Sequence, residues 1–157
     1  MMIKIETTMI KKLLTLFVFA ATFVSCTQDV EPIEYLDVNA HNISGSWKLV
    51  EWSGVNQTDD VYMYVNFVRN DKTFTIYQNH DSLPHVPHIS TGTFYIETDV
   101  ELGAIIRGMY DNDSGDWAHR YIVKELTATS MTWVAKDEPD YVQKFERVES
   151  IPLASEN

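Results

Sequence analysis

The sequence predicts an all-β domain, namely an eight-stranded up-and-down antiparallel barrel that follows an N-terminal signal segment. Three observations predict this fold. The body of the chain is a series of short runs rich in Val, Ile, Thr and aromatic residues, several runs alternate apolar with polar residues, and Gly, Asn, Asp and Pro separate them. Because most of the breaks are short, a meander that closes on itself is favoured over a sandwich with long Greek-key connections.

Each predicted strand ends where turn-forming residues begin. Gly54 follows the first run, Asn70-Asp71 follows the second, and residues 112–115 (NDSG) separate the fifth run from the sixth. The alternation is clearest at residues 61–67, VYMYVNF. The eight predicted strands span residues 47–53, 61–69, 73–79, 90–97, 104–110, 117–125, 130–136 and 141–148.

Ahead of the barrel, residues 9–26 have the layout of a secretory signal. Lys11 and Lys12 form a positive region, an apolar run from 13 to 24 follows, and the chain's only cysteine, Cys26, comes after a small residue. The run is too short to predict a membrane span. A single cysteine also excludes an internal disulfide framework, so the domain must be held together by its core.

Phe23-Val24-Ser25-Cys26 resembles the lipobox of bacterial lipoproteins. The resemblance implies that the Cys26 thiol is acylated and becomes the mature N-terminus. It also implies a lipid-anchored protein of the cell envelope, at the outer membrane, with the periplasmic or surface side left open. The expected organisation is a signal peptide (1–25), an acidic tether (26–42), the barrel (43–150) and a C-terminal tail (151–157).

The charge of the chain limits its partners. The 12 basic and 23 acidic residues give a net charge of −11, and removal of residues 1–25, which carry three lysines and one glutamate, leaves −13. Nucleic acid repels so acidic a body, so we expect no nucleic-acid partner. A lipid anchor can still hold the protein at a membrane, because the acyl chains supply the affinity.

Two motifs bracket the predicted barrel. Gly45-Ser46-Trp47 opens the first strand, and Phe145-Glu146-Arg147 closes the last. With the TGTF of 91–94 and the YDNDSGDW of 110–117, they resemble the small lipocalin-like lipoproteins of Gram-negative bacterial envelopes. The resemblance implies that Gly45, Trp47 and Arg147 form a structural signature in which the arginine lies over the tryptophan. It also implies that the barrel binds or carries a small hydrophobic ligand.

An eight-stranded barrel is just wide enough to fill itself or to hold one small ligand, and both interpretations stay open. In the first, the inward side chains simply pack the core. In the second, the half of the barrel far from Trp47 forms a mostly apolar cup. Strand parity predicts the inward residues Leu49, Val65, Phe67, Phe74, Ile76, Phe94, Ile96, Ile106, Tyr110, Tyr121, Val123 and Trp133. The candidate ligand-binding residues are Met63, Val65, Phe67, Ile76, Gln78, Met109, Trp117 and Tyr121.

The alternative function is a non-catalytic interaction module that docks an envelope protein or a glycan through loops and exposed aromatic residues. The aromatic residues that alternation places outside are Trp52, Tyr62, Tyr64 and Tyr77. A contiguous exposed patch of such residues would favour this function over ligand carriage.

Metal, cofactor and catalytic sites have little support in the sequence. His80, His85 and His88 are weak zinc or copper candidates, because their Pro-rich segment matches no metal-site spacing. Residues 111–116 resemble the first half of a calcium loop but lack the closing glutamate. There is no nucleophile elbow and no phosphate-binding glycine loop. We therefore predict no metal, no cofactor and no enzymatic activity.

Overall fold

The computed structural model describes residues 32–80, 86–112 and 114–152. The chain divides into two units, Met1–Pro32 and Ile33–Asn157, and the barrel belongs to the second. The predicted signal peptide, Cys26, the first part of the acidic tether, His85 and the last part of the tail lie outside the described residues. Within the described ranges, no helix is long and apolar enough to cross a membrane.

The described residues contain nine strands, and eight of them form the barrel. Their β-branched and aromatic residues suit a pleated sheet with one buried face, which is why the predicted runs become strands. The strands are β1 (Gly45–Trp52), β2 (Val55–Asn56), β3 (Met63–Val68), β4 (Thr73–Gln78), β5 (His88–Asp99), β6 (Gly103–Tyr110), β7 (Tyr121–Lys124), β8 (Ser130–Ala135) and β9 (Glu138–Val148).

The barrel closes between its first and last strands. β3 to β9 follow one another as antiparallel neighbours, and β1 pairs with β3 on one side and with β9 on the other. The β1–β9 ladder runs from the pair Ser46 and Val148 to the pair Trp52 and Gln143. β2 only extends the end of β1 through a short hairpin. The predicted eight-stranded, up-and-down antiparallel barrel is therefore confirmed.

The barrel end at which β1 begins and β9 ends, called the closed end below, is covered by Trp47 and Arg147. The guanidinium carbon of Arg147 lies 4.1 Å from the centre of the fully buried Trp47 ring. Arg147 also donates to the backbone carbonyl oxygens of Ala128 (2.8 Å), Asn42 (2.7 Å) and Ser44. The desolvation of this side chain lowers its pKa from the usual value. One arginine thus joins β9 to the segment before β1 and to the β7–β8 connection.

Gly45 is required at the closed end for two reasons. Its φ angle is +108°, a backbone conformation that other residues rarely adopt. A Cβ atom at this position would also lie 2.8 Å from Nη1 of Arg147. The glycine of the opening motif therefore leaves the space in which the arginine packs over Trp47.

Two inward glycines allow large rings to lie against the barrel wall. A Cβ atom at Gly92 would meet the ring of Phe74 (2.7 Å) and a backbone oxygen across the strand. A Cβ atom at Gly108 would overlap the indole of Trp117. Both glycines are the close-approach positions that a narrow barrel needs.

A β-bulge redirects the end of β1. Alternation predicts that Trp52 faces outward, because Trp47 and Leu49 face inward. The β1–β9 register shifts between Leu49 and Glu51, so the parity changes and Trp52 packs against the core instead. Its ring contacts that of Tyr141, at 5.3 Å between centres. The prediction of an outward Trp52 was wrong.

Candidate functional site

The structure places the eight candidate ligand-binding residues in three environments. Gln78 is half-buried at the open end, which is the barrel end opposite Trp47. Met109 lies on the outside of β6 and is 45% exposed, because its neighbours Gly108 and Tyr110 face the interior. The prediction that Met109 lies in the cup was therefore wrong. The core buries Met63, Val65, Phe67, Ile76, Trp117 and Tyr121.

Aromatic rings fill the centre of the barrel. The ring centre of Trp133 lies 5.5 Å from that of Trp117, 5.1 Å from that of Tyr121 and 4.7 Å from that of Phe145. Phe67 packs against Trp117 at 6.5 Å. The half of the barrel nearest Trp47 and the middle layer are thus packed core, and any site for a ligand lies nearer to the open end.

A row of aromatic rings leads from this packed centre to the open end. It is called the aromatic row below and consists of Trp133, Tyr121, Tyr141 and Trp52. Successive ring centres are 5.1, 6.2 and 5.3 Å apart. The outer members Tyr141 and Trp52 are only half-buried, so part of each ring surface faces the mouth of the barrel. His119 packs against Tyr141 with tilted rings, at 4.6 Å between ring centres.

The two tyrosines of the aromatic row are held as neutral phenols. Burial raises the pKa of Tyr121 strongly, and the neighbouring Tyr141 adds to that rise. Burial likewise raises the pKa of Tyr141, against the opposing effect of the hydrogen bond from Tyr121. The row therefore presents uncharged surface over the whole physiological pH range.

A polar cleft opens where β4, β5 and the β6–β7 connection meet the open end. Its volume is about 410 Å³. Nε2 of Gln78 lies 3.2 Å from Nε2 of His88, and the Thr91 hydroxyl donates to the Asp111 carboxylate at 2.6 Å. The residues that line the cleft are Gln78, His88, Ile89, Ser90, Thr91, Tyr110, Asp111, Asn112 and Ser114.

Two buried indole nitrogens lack a partner. Nε1 of Trp117 and Nε1 of Trp133 have no hydrogen-bond acceptor among the residues that the structure describes. A buried donor without an acceptor costs about 1–3 kcal/mol. A water molecule that reached these nitrogens would recover that energy.

The histidine segment does not form a metal site in the part of the chain that the structure describes. His80 packs on Trp52 at 5.1 Å between ring centres, and His88 contacts Gln78. No group of three or more His, Cys, Asp or Glu side chains within the described residues could hold a metal ion. His85 lies outside those residues, so its assignment as a weak candidate metal ligand stays a prediction.

The surface aromatic residues of the docking alternative are mostly covered. Tyr64 is only 9% exposed, and Tyr62 and Tyr77 are half-buried. With Trp52 turned inward, these four residues do not form the exposed patch that the alternative required.

A family model agrees with the geometry of the barrel. The family model of the lipocalin-like domain matches residues 43–133, which is more than half of the chain. The chain belongs to the lipocalin-like domain family. Among solved structures, a lipocalin-like protein from Bacteroides uniformis ATCC 8492 is similar at 15% sequence identity, with a TM-score of 0.48, and the match covers 68% of this chain and 97% of that one. A comparison with curated proteins gives no match.

Three site residues of this lipocalin-like barrel were missed in the sequence. Tyr141 and His119 lie within the predicted strands 141–148 and 117–125 but were not among the candidate ligand-binding residues, and Trp52 was expected outside. Tyr141 could have been found from its position at the start of the last strand, two residues before Gln143, because both side chains then share the inward parity. No sequence signal places His119, since residues 117–120 lie outside the regular strand pairing.

Proposed function

We propose that this lipocalin-like barrel binds a small hydrophobic ligand at its open end without catalysing a reaction. We also propose that a lipid on Cys26 anchors it to the outer membrane of a bacterial cell envelope. The aromatic row carries the binding proposal. It places half-buried Tyr141 and Trp52 at the mouth and joins them to the buried Tyr121.

The aromatic row suits such a ligand because it offers flat apolar surface at little entropic cost. Aromatic side chains bury 150–250 Å² each, and a favourable ring contact adds roughly 0.5–1.5 kcal/mol beyond that burial. The neighbours Tyr121 and Trp133 are already fixed by the core, so the ligand would not have to order them. Neutral tyrosines also avoid desolvation of charge when a hydrophobic ligand covers them.

The binding proposal is tested with the full chain in lipid nanodiscs, after purification from its own envelope. Native mass spectrometry should show a reproducible bound mass. Tyr141→Ala should weaken retention of that mass by about tenfold, which corresponds to about 1.4 kcal/mol. Tyr95→Ala is the matched control, because Tyr95 is exposed on the outside of β5. Equal losses in both variants, or no bound mass at all, would contradict the proposal.

The anchoring proposal has its own test. Cys26→Ser should abolish incorporation of labelled palmitate and release the protein from the membrane fraction. Ser25→Ala keeps a small residue before the cysteine and should leave labelling intact. A Cys26→Ser protein that stays firmly in the membrane fraction would contradict lipid anchoring.

A further inference from the structure

The polar cleft is continuous with the barrel interior. The register pairs Gln78 with His88 and Ile76 with Ser90, so the Gln78 and Ser90 side chains share the inward face with buried Ile76. Tyr110 lies opposite the inward Gly92 on the next strand. The inward part of the cleft therefore borders the buried interior of the barrel near Ile76.

Tyr110 links the cleft to the aromatic row. Its side chain lines the cleft and packs edge-on against Phe74, at 5.7 Å between ring centres. Phe74 in turn packs against Trp117 at 4.9 Å, and Trp117 packs against Tyr121 at 6.2 Å, so a chain of ring contacts joins Tyr110 to the aromatic row. One ligand can thus contact the row with one part and the cleft with another.

The chemistry of the cleft selects its occupant. Among the described residues that line it, eight of nine side chains are polar and none is a lysine or an arginine. The one carboxylate among these nine, that of Asp111, would repel an anion, and it is exposed and already accepts the Thr91 hydroxyl. A phosphate, sulfate or carboxylate is therefore disfavoured, and an exposed single carboxylate binds a cation only weakly. Hydroxyl, amide and imidazole groups instead match a ligand that both donates and accepts hydrogen bonds.

We propose that the cleft binds an uncharged, polyhydroxylated head group, so that the barrel's ligand is a neutral glycosylated or polyol amphiphile whose apolar part lies on the aromatic row. This inference rests on the proposed function and names its ligand class. The cleft volume of about 410 Å³ falls within the range of roughly 300–1,000 Å³ typical of small-molecule sites. The head group of such a ligand would contact the polar cleft, and its apolar part would contact the aromatic row.

The test compares short-chain ligands on the unmodified full chain in nanodiscs, with empty nanodiscs subtracting partition into lipid. Hexyl β-glucoside should bind at least tenfold more tightly than 1-hexanol, hexyl phosphate, hexyltrimethylammonium or free glucose. Binding is measured by calorimetry. Equal affinity for hexyl glucoside and hexanol, or tightest binding of a charged ligand, would overturn the inference. Free glucose binding as tightly as the glucoside would also overturn it, because the two sites would then be independent.

A variant locates the head group. Gln78→Ala combined with Ser90→Ala should reduce the preference for hexyl glucoside over hexanol to less than threefold. The control is Thr93→Ala, on the outer face of β5, the strand that carries Ser90, and it should leave this preference unchanged. An unchanged preference in the double variant would place the sugar elsewhere and overturn the assignment. If no hexyl ligand binds at all, the proposed function itself fails. The ligand series on the unmodified chain decides the question even if the double variant does not fold.

Discussion

The close approach of Trp117 to Gly108 predicts a specific stability defect. Gly108→Ala would place a methyl group inside the indole ring, so the ring must move. Overpacked core substitutions cost about 1–3 kcal/mol. The upper limit is the loss of the ring's whole burial, since Trp117 is 8% exposed. For a buried ring area of roughly 200 Å² and a transfer free energy of about 25 cal/mol per Å², that limit is about 4–5 kcal/mol. We expect Gly108→Ala to reduce the free energy of unfolding by about 3 kcal/mol.

A double-mutant cycle attributes this defect to the ring. Trp117→Ala alone should cost about 3–5 kcal/mol. In that background the methyl group of Ala at position 108 meets no indole, so the second substitution should cost less than about 1 kcal/mol. Urea denaturation followed by tryptophan fluorescence measures all four proteins, because the chain has four tryptophans and three remain in the two Trp117→Ala proteins. Equal costs of Gly108→Ala in both backgrounds would refute the reasoning, because the methyl group would then be clashing with something else.

Three further predictions concern the closed end and the aromatic row. Arg147→Lys keeps the charge but cannot reach three carbonyl oxygens, so it should cost about 2 kcal/mol in urea denaturation; an unchanged midpoint would contradict this. Trp47→Ala should cost about 3–5 kcal/mol by the same assay, and a near-neutral result would contradict its place in the core. Burial raises the pKa of Tyr121. Above pH 10 the unfolded chain, in which tyrosine has a pKa of about 10, loses this proton while the folded protein keeps it, so the free energy of unfolding falls as the pH rises above about 10. Tyr121→Phe should flatten that fall in urea midpoints measured from pH 9 to 11, and an equally steep fall would argue against it.

The barrel could be predicted because its signals are local and repeated. Period-2 alternation fixes which side chains of a strand face the core, and one buried face leaves little freedom of register. Phe67, Phe74 and Trp133, which were predicted from parity alone, are all buried. The closure was predictable from the number of strands and the short turns between them, and Trp47 and Arg147, which the family resemblance places together, meet across the β1–β9 ladder.

The candidate site was less predictable because it depends on interruptions of that pattern. The bulge in β1 changes the parity of Trp52, and bulges have no single sequence signature. Trp117 was assigned to a strand, but only a single bridge, Met109 with Asp116, pairs the chain beside it. The Trp117 ring therefore enters the core from the β6–β7 connection and not from a strand. The polar cleft escaped notice because Asp111 and Asn112 also suit an ordinary turn.

The ladder between β1 and β9 has a consequence for how the chain folds. Partners such as Ser46 and Val148 are about a hundred residues apart, so the two ends of the sheet meet only after nearly the whole domain has been synthesised. Contacts of such long sequence separation slow folding, because the chain entropy is lost before the contacts form. Until then both strands present unpaired edges, which are sites of aggregation. Arg147 acts only when the sheet closes, so we expect its loss to accelerate unfolding more than it slows folding.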